Sequence, residues 1–284
     1  MSDAKPPVPG ALPDDAGRQT SEPARPRRWL PEDVQTAWGW KELVLFLVVG
    51  FASLILLTDA MAGLAVVWLK VKPADLKTFV TTDAVFLSLR QAAWYVVVIL
   101  YLYATIRLSS RAPFWQTIGW RRLRPGARPE AMMVLLCLVS GVALGVVAEL
   151  GSFAFRTKAK LPIEALFHDR RGVIWLMAIG ILLAPVVEET IFRGFLYPVL
   201  ARSLGVEGGI VATGVLFGML HAPQLWRGWG EIGLLVLVGI VLTYARERSG
   251  TVLASWLLHL GYNTYLFAGF FLSTAGLRHL PPGG

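Results

Sequence analysis

"PVVEETIFRGFLYP", residues 185–198, places Glu188, Glu189 and Arg193 within one otherwise apolar run. The residues around it show that this run is set in a bilayer. Of the 284 residues 55% are hydrophobic and only 16% charged, against about 25% charged in an ordinary soluble domain. Apolar segments recur at 43–69, 84–106, 131–154, 172–200, 208–221, 231–245 and 252–273, several of them within the roughly 17–25 residues that a spanning helix needs. The chain therefore reads as an all-α polytopic integral membrane protein, with seven spans by plain count. The fourth run is long and carries Pro185, which predicts a kink. The Phe114–Trp120 stretch is suited to the interface, so an eighth element is allowed.

Residues 1–38 are rich in Pro, Ala and Asp and are expected to form a disordered cytoplasmic tail. Residues 39–275 then make the transmembrane domain and 276–284 a short C-terminal tail. The first stretch lacks the apolar centre of a cleavable signal peptide, so the first run is expected to act as an uncleaved anchor. The net charge is +8, but the arginines cluster between apolar runs, where they set topology; the partner they imply is the bilayer and not nucleic acid. Arg107, Arg111, Arg121, Arg122, Arg124 and Arg128 share one loop, which favours a cytoplasmic N-terminus. The composition suggests a prokaryotic inner or plasma membrane. The single cysteine, Cys137, excludes an intramolecular disulfide and a Cys-based metal site.

A charge at the bilayer centre costs about 2.5–3.5 kcal/mol on insertion scales, so those retained face the protein interior and serve a purpose. Glu189 and Arg193 are four apart on a helix, acid first, and can neutralise each other. Glu188 lies about 100° around that helix without a local partner, and a carboxylate so placed suits a general base. "GVLFGMLH", residues 214–221, ends in His221, four residues after Phe217; "SWLLHLGYN", residues 255–263, sets His259 and Asn263 one turn apart. Gly214 and Gly218 form a small-xxx-small pair that lets the His221 helix approach a neighbour.

Taken singly, a Glu–Arg pair can be a structural staple, a lone His a packing residue, and His with Asn an interhelical hydrogen bond. Jointly, a carboxylate, two imidazoles and an amide on three apolar helices are what activating a water and holding an oxyanion require. Asp59, Asp83, Arg90 and Glu149 suit helix ends or the interface better than a proton path. His168 and His279 read as solvated, and Trp226, Trp229 and Trp256 as an interfacial belt.

The three motifs fit Glu-Glu-x-x-x-Arg, Phe-x-x-x-His and His-x-x-x-Asn in that order, with Gly194 and Tyr197 following the first. In these the chain resembles the CPBP intramembrane proteases, the family of the type II CAAX prenyl endopeptidases and bacterial Abi or bacteriocin-immunity-type proteins, over about 130–275. The resemblance implies about eight transmembrane helices around a polar cavity open to the cytoplasmic side and the lipid. It implies that Glu188 and His221 activate the attacking water, that His259 and Asn263 stabilise the oxyanion, and that Glu189, Arg193 and Phe217 support them. The substrate would be a membrane-embedded or lipidated peptide or protein.

His221, His259 and Glu188 also compose a His₂Glu zinc set. Against zinc, no His-Glu-x-x-His helix is present, and with Glu188 as ligand the base would have to be Glu189, already matched to Arg193. A metal-free glutamate mechanism is preferred, with zinc the alternative. Two other classes are kept: a non-catalytic membrane immunity or scaffolding protein, and a proton-relay transporter, the latter disfavoured because no repeated halves are visible.

Overall fold

A computed structural model of the chain describes residues 31, 34–123, 129–155, 163 and 166–280. Among them there are helices and no strand. The elements are α1 (Trp40–Trp68), α2 (Leu76–Thr82), α3 (Ala84–Ser109), α4 (Phe114–Thr117), α5 (Glu130–Phe155), α6 (Arg170–Ala178), α7 (Ala184–Glu189), α8 (Tyr197–Leu220), α9 (Trp229–Ser249) and α10 (Val252–Ser273). Among the described residues five helical runs are long and apolar enough to cross a membrane, the 51-residue run Arg170–Leu220 counting as one of them. The expectation of seven or eight spans is not reached on that measure, because α10 falls outside it and the long run is not divided.

That run changes direction inside. At about 1.5 Å per residue a straight helix of such length would measure about 75 Å, more than twice the hydrocarbon core. Gly205 interrupts it with φ 80° and ψ 166°, a left-handed φ that glycine adopts without steric cost. Beyond it the chain doubles back: a β-carbon on Gly209 would lie 2.7 Å from Ala201 Cα, although eight helical residues would separate them by about 12 Å. The fourth and fifth apolar runs are thus two arms of a hairpin.

The first arm is widened twice, over Ile179–Leu183 and Thr190–Leu196, where the helix takes π geometry. Each widening ends shortly before a proline, Pro185 and Pro198, which lacks the N–H that would continue the ladder. The predicted disturbance at Pro185 takes this form. In the π register Ala184 N–H reaches the Ile179 carbonyl, so the next carbonyl, that of Gly180, would need the N–H that Pro185 does not have.

Glycines set how closely the helices approach. A β-carbon at Gly141 of α5 would lie 2.0 Å from the Leu258 carbonyl oxygen of α10, and one at Gly214 of α8 would lie 2.5 Å from Ile240 Cγ1 of α9. The Gly214–Gly218 pair expected to admit a neighbour admits α9. The start of α10 is pinned as well: Thr251 caps it by accepting from Leu253 N–H, Thr251 Oγ1 donates to the Arg121 carbonyl at 2.6 Å, and Val252 N–H donates to the Gly119 carbonyl at 2.9 Å.

Two stretches pack more deeply than composition suggests. Of the segment expected at the interface, Phe114 and Ile118 are buried and Trp120 Nε1 donates to Thr190 Oγ1 at 2.9 Å, while Trp115 stays exposed. At the end of the expected tail, Val34 and Trp38 are buried. Trp38 stacks on Phe195 with centroids 5.6 Å apart and donates to its carbonyl at 3.0 Å, while Arg202 donates to the carbonyls of Thr36 and Trp38. Most of the expected tail, residues 1–30, lies outside the described residues, as do 281–284.

Candidate functional site

Glu189 and Arg193 are both fully buried, and Arg193 Nη1 donates to Glu189 Oε1 at 2.8 Å. The widened turn after Glu189 aims the guanidinium at α9, where Nη2 donates to the Gly239 carbonyl at 2.8 Å and Nε to Thr243 Oγ1 at 3.2 Å. Phe217 covers its face, 4.7 Å from ring centre to Cζ. A buried charge persists where it is paired and further hydrogen-bonded, and each nitrogen of this guanidinium has a partner.

The same carboxylate oxygen holds His259: Nδ1 lies 2.8 Å from Glu189 Oε1. Because a carboxylate only accepts, Nδ1 carries the proton. Nε2 then accepts in the neutral ring and donates in the protonated one. It faces Glu188 Oε2 at 4.0 Å, while the other oxygen of Glu188 accepts from the Tyr95 hydroxyl of α3 at 3.0 Å. Glu188, expected to lack a local partner, therefore has a distant one. Tyr95 was not legible in the sequence, where nothing in its spacing separates it from Tyr101 and Tyr103 of the same run.

His221 closes the end of α8. Its Nδ1 lies 2.9 Å from the Phe217 carbonyl, an acceptor, so Nδ1–H donates and Nε2 keeps its lone pair. Phe217 stands between the two imidazoles, with centroids 5.0 Å from His221 and 5.8 Å from His259. Among the described residues no hydrogen bond or ion pair joins His221 to Glu188. Asn263 Nδ2 donates to the Gly180 carbonyl at 2.7 Å, the very group that Pro185 leaves without an intrahelical partner. The proline and the amide one helix away are thus two parts of one arrangement.

Of the motif residues expected to act together, Glu188, Glu189, Arg193, Phe217 and His259 are in contact with one another, His221 is linked to them through the Phe217 ring, and Asn263 meets the Gly180 carbonyl. Those expected to be incidental lie apart. Asp83 caps α3 through Phe86 N–H at 2.7 Å, and Glu149 accepts from the Tyr265 hydroxyl. Asp59, His168 and His279 are exposed. Trp226 and Trp229 are exposed neighbours, whereas Trp256 packs on Trp120 with centroids 5.9 Å apart. A cavity of about 470 Å³ opens between α5, α9 and α10. Glu149, Glu231, Tyr265 and Phe270 line it together with Tyr262, which lies between His259 and Asn263 in sequence; the four candidate catalytic residues do not line it.

A zinc ion would need three donors within about 2.0–2.2 Å of one point. Among the described residues no three of His, Cys, Asp and Glu are grouped closely enough to hold a metal ion, so His221, His259 and Glu188 as arranged do not fit one and no step is routed through it.

Comparison with known proteins gives a family match in the same part of the chain. Residues 170–265 match the family model described as type II CAAX prenyl endopeptidase Rce1-like, in keeping with the resemblance to CPBP proteases. The chain is also 32% identical over 126 residues to an uncharacterized 24.3 kDa protein of Escherichia coli, a match that covers 42% of this chain and 57% of that protein. The chain thus spans just over half the length of this curated relative. No solved structure matches.

Proposed function

We propose that this chain, an Rce1-like protein by its residues 170–265, is an intramembrane endopeptidase that hydrolyses a peptide bond of a membrane-embedded or lipidated peptide or protein. The arrangement that carries the reading is Glu188 Oε2 opposite His259 Nε2 at 4.0 Å, with His259 held from behind by Glu189 at 2.8 Å. Peptide hydrolysis needs a base for the water, a proton for the leaving amine and donors for the oxyanion.

Glu188 is the base and returns the proton to the amine. His221, whose Nε2 keeps an open lone pair, assists at the water. His259 in its protonated form donates from Nε2 to the oxyanion, and Asn263 adds the amide hydrogen that Gly180 does not take. Glu189 orients the His259 ring as the acid of a hydrolytic triad orients its histidine, and Arg193 anchors Glu189. A base and an oxyanion donor about 4 Å apart are close enough to serve one carbonyl and its attacking water placed alongside them.

In this reading the hairpin at Gly205 supplies two crossings and α10 one more, seven in all, with the N-terminus in the cytoplasm and the protein in a prokaryotic inner or plasma membrane. No metal is required. The test is comparative proteomics of membranes carrying the wild-type chain or Glu188→Ala: uncut termini should accumulate in the variant while the protein remains inserted. Unchanged termini would leave the scaffolding or immunity reading in its place.

A further inference from the structure

We infer that Tyr95 is a positioning residue for Glu188: its hydroxyl, donated from α3, occupies one carboxylate oxygen so that the other is presented to His259. The inference rests on Glu188 being the base, and it adds a part of the chain outside the family match of 170–265. Tyr95 is buried, and its hydroxyl lies 3.0 Å from Glu188 Oε1. Its ring packs beside Trp94 with centroids 5.9 Å apart, and Trp94 is tied to α1 through the Gly50 carbonyl at 2.9 Å. The donor is thus held by two helices that carry none of the three motifs.

The terminal torsion of a glutamate is broad and roughly two-fold, so an unanchored carboxylate would present either oxygen. With Oε1 accepting from Tyr95, Oε2 is the oxygen opposite His259 Nε2. Their 4.0 Å separation is longer than a direct N–H···O bond and leaves space for a water bound to both. In the protonated ring that the proposed chemistry uses, Nε2–H donates to such a water, which gives a hydrogen to Oε2 and keeps a lone pair for attack.

The test uses the full-length protein in proteoliposomes and dicyclohexylcarbodiimide, which modifies protonated carboxyl groups, with the Glu188 adduct followed by mass spectrometry at pH 7. Glu188→Gln gives the blank. Tyr101→Phe gives the control, since the Tyr101 hydroxyl on the same helix is buried without a hydrogen bond among the described residues. Losing a hydrogen bond to a charged group should speed labelling of Glu188 in Tyr95→Phe by about tenfold over wild type. Tyr101→Phe should match wild type, and the membrane termini of the proteomic comparison should form about tenfold more slowly in Tyr95→Phe. Labelling of Tyr95→Phe within twofold of wild type would overturn the inference, as would faster labelling with undiminished formation of those termini. Intact processing in Glu188→Gln would instead overturn the endopeptidase reading, whatever the labelling shows.

Discussion

Glu189 Oε1 accepts from Arg193 Nη1 and from His259 Nδ1, each at 2.8 Å. One oxygen thereby links the widened first arm of the hairpin to α10, and through Arg193 to the Gly239 carbonyl and Thr243 of α9. The second acid of the pair is the hub of the packing, and the first is left to face outward from it.

Arg193→Met should unfold readily. Removing one partner of a buried pair leaves an uncompensated charge and costs about 3–5 kcal/mol. Thermal unfolding in detergent should show a clearly lower Tm, and a Tm equal to wild type would mean that the pair is not holding the arms together.

His221→Ala should separate chemistry from stability. The ring is half-buried at a helix end, and its hydrogen bond is to its own helix. Processing of membrane substrates should fall by about 10²–10⁴, as expected for a lost acid–base group, while Tm stays within a few degrees. Wild-type processing rates would remove His221 from the proposed chemistry.

Gly141→Ala tests the approach of α5 to α10. The added methyl would meet the Leu258 carbonyl oxygen at 2.0 Å, next to His259. Overpacking of this kind costs about 1–3 kcal/mol, and the displaced α10 should also slow processing. Gly63→Ala, where nothing lies within 4 Å, is the matched control and should lower neither stability nor processing.

Trp38→Ala should loosen the N-terminal segment. The indole stacks on Phe195 and donates to its carbonyl, and truncating a buried aromatic costs about 3–5 kcal/mol. Limited proteolysis should cut near Val34–Trp38 faster in the variant; equal rates would mean that the indole does not secure the strap.

Treatment with a strong chelator should leave processing intact, because the reading routes no step through a metal. Activity lost to the chelator and restored by zinc would replace the glutamate mechanism with a metal-assisted one.

The apolar runs, the pairing of Glu189 with Arg193 and the three motifs are local properties. Hydropathy over about twenty residues and a period of 3.6 are written in consecutive side chains, so the helical membrane character and the candidate residues could be read directly. What Glu188 touches could not. Tyr95 is 93 positions away from it, Glu189 and His259 are 70 apart, and Asn263 and Gly180 are 83 apart. Such contacts arise only when glycine-lined helices close on one another and the chain reverses at Gly205. Helix identity was therefore settled by local hydropathy and spacing, whereas the partner of each polar group was decided by interhelical packing, because a buried donor or acceptor takes its mate from whichever helix is pressed against it.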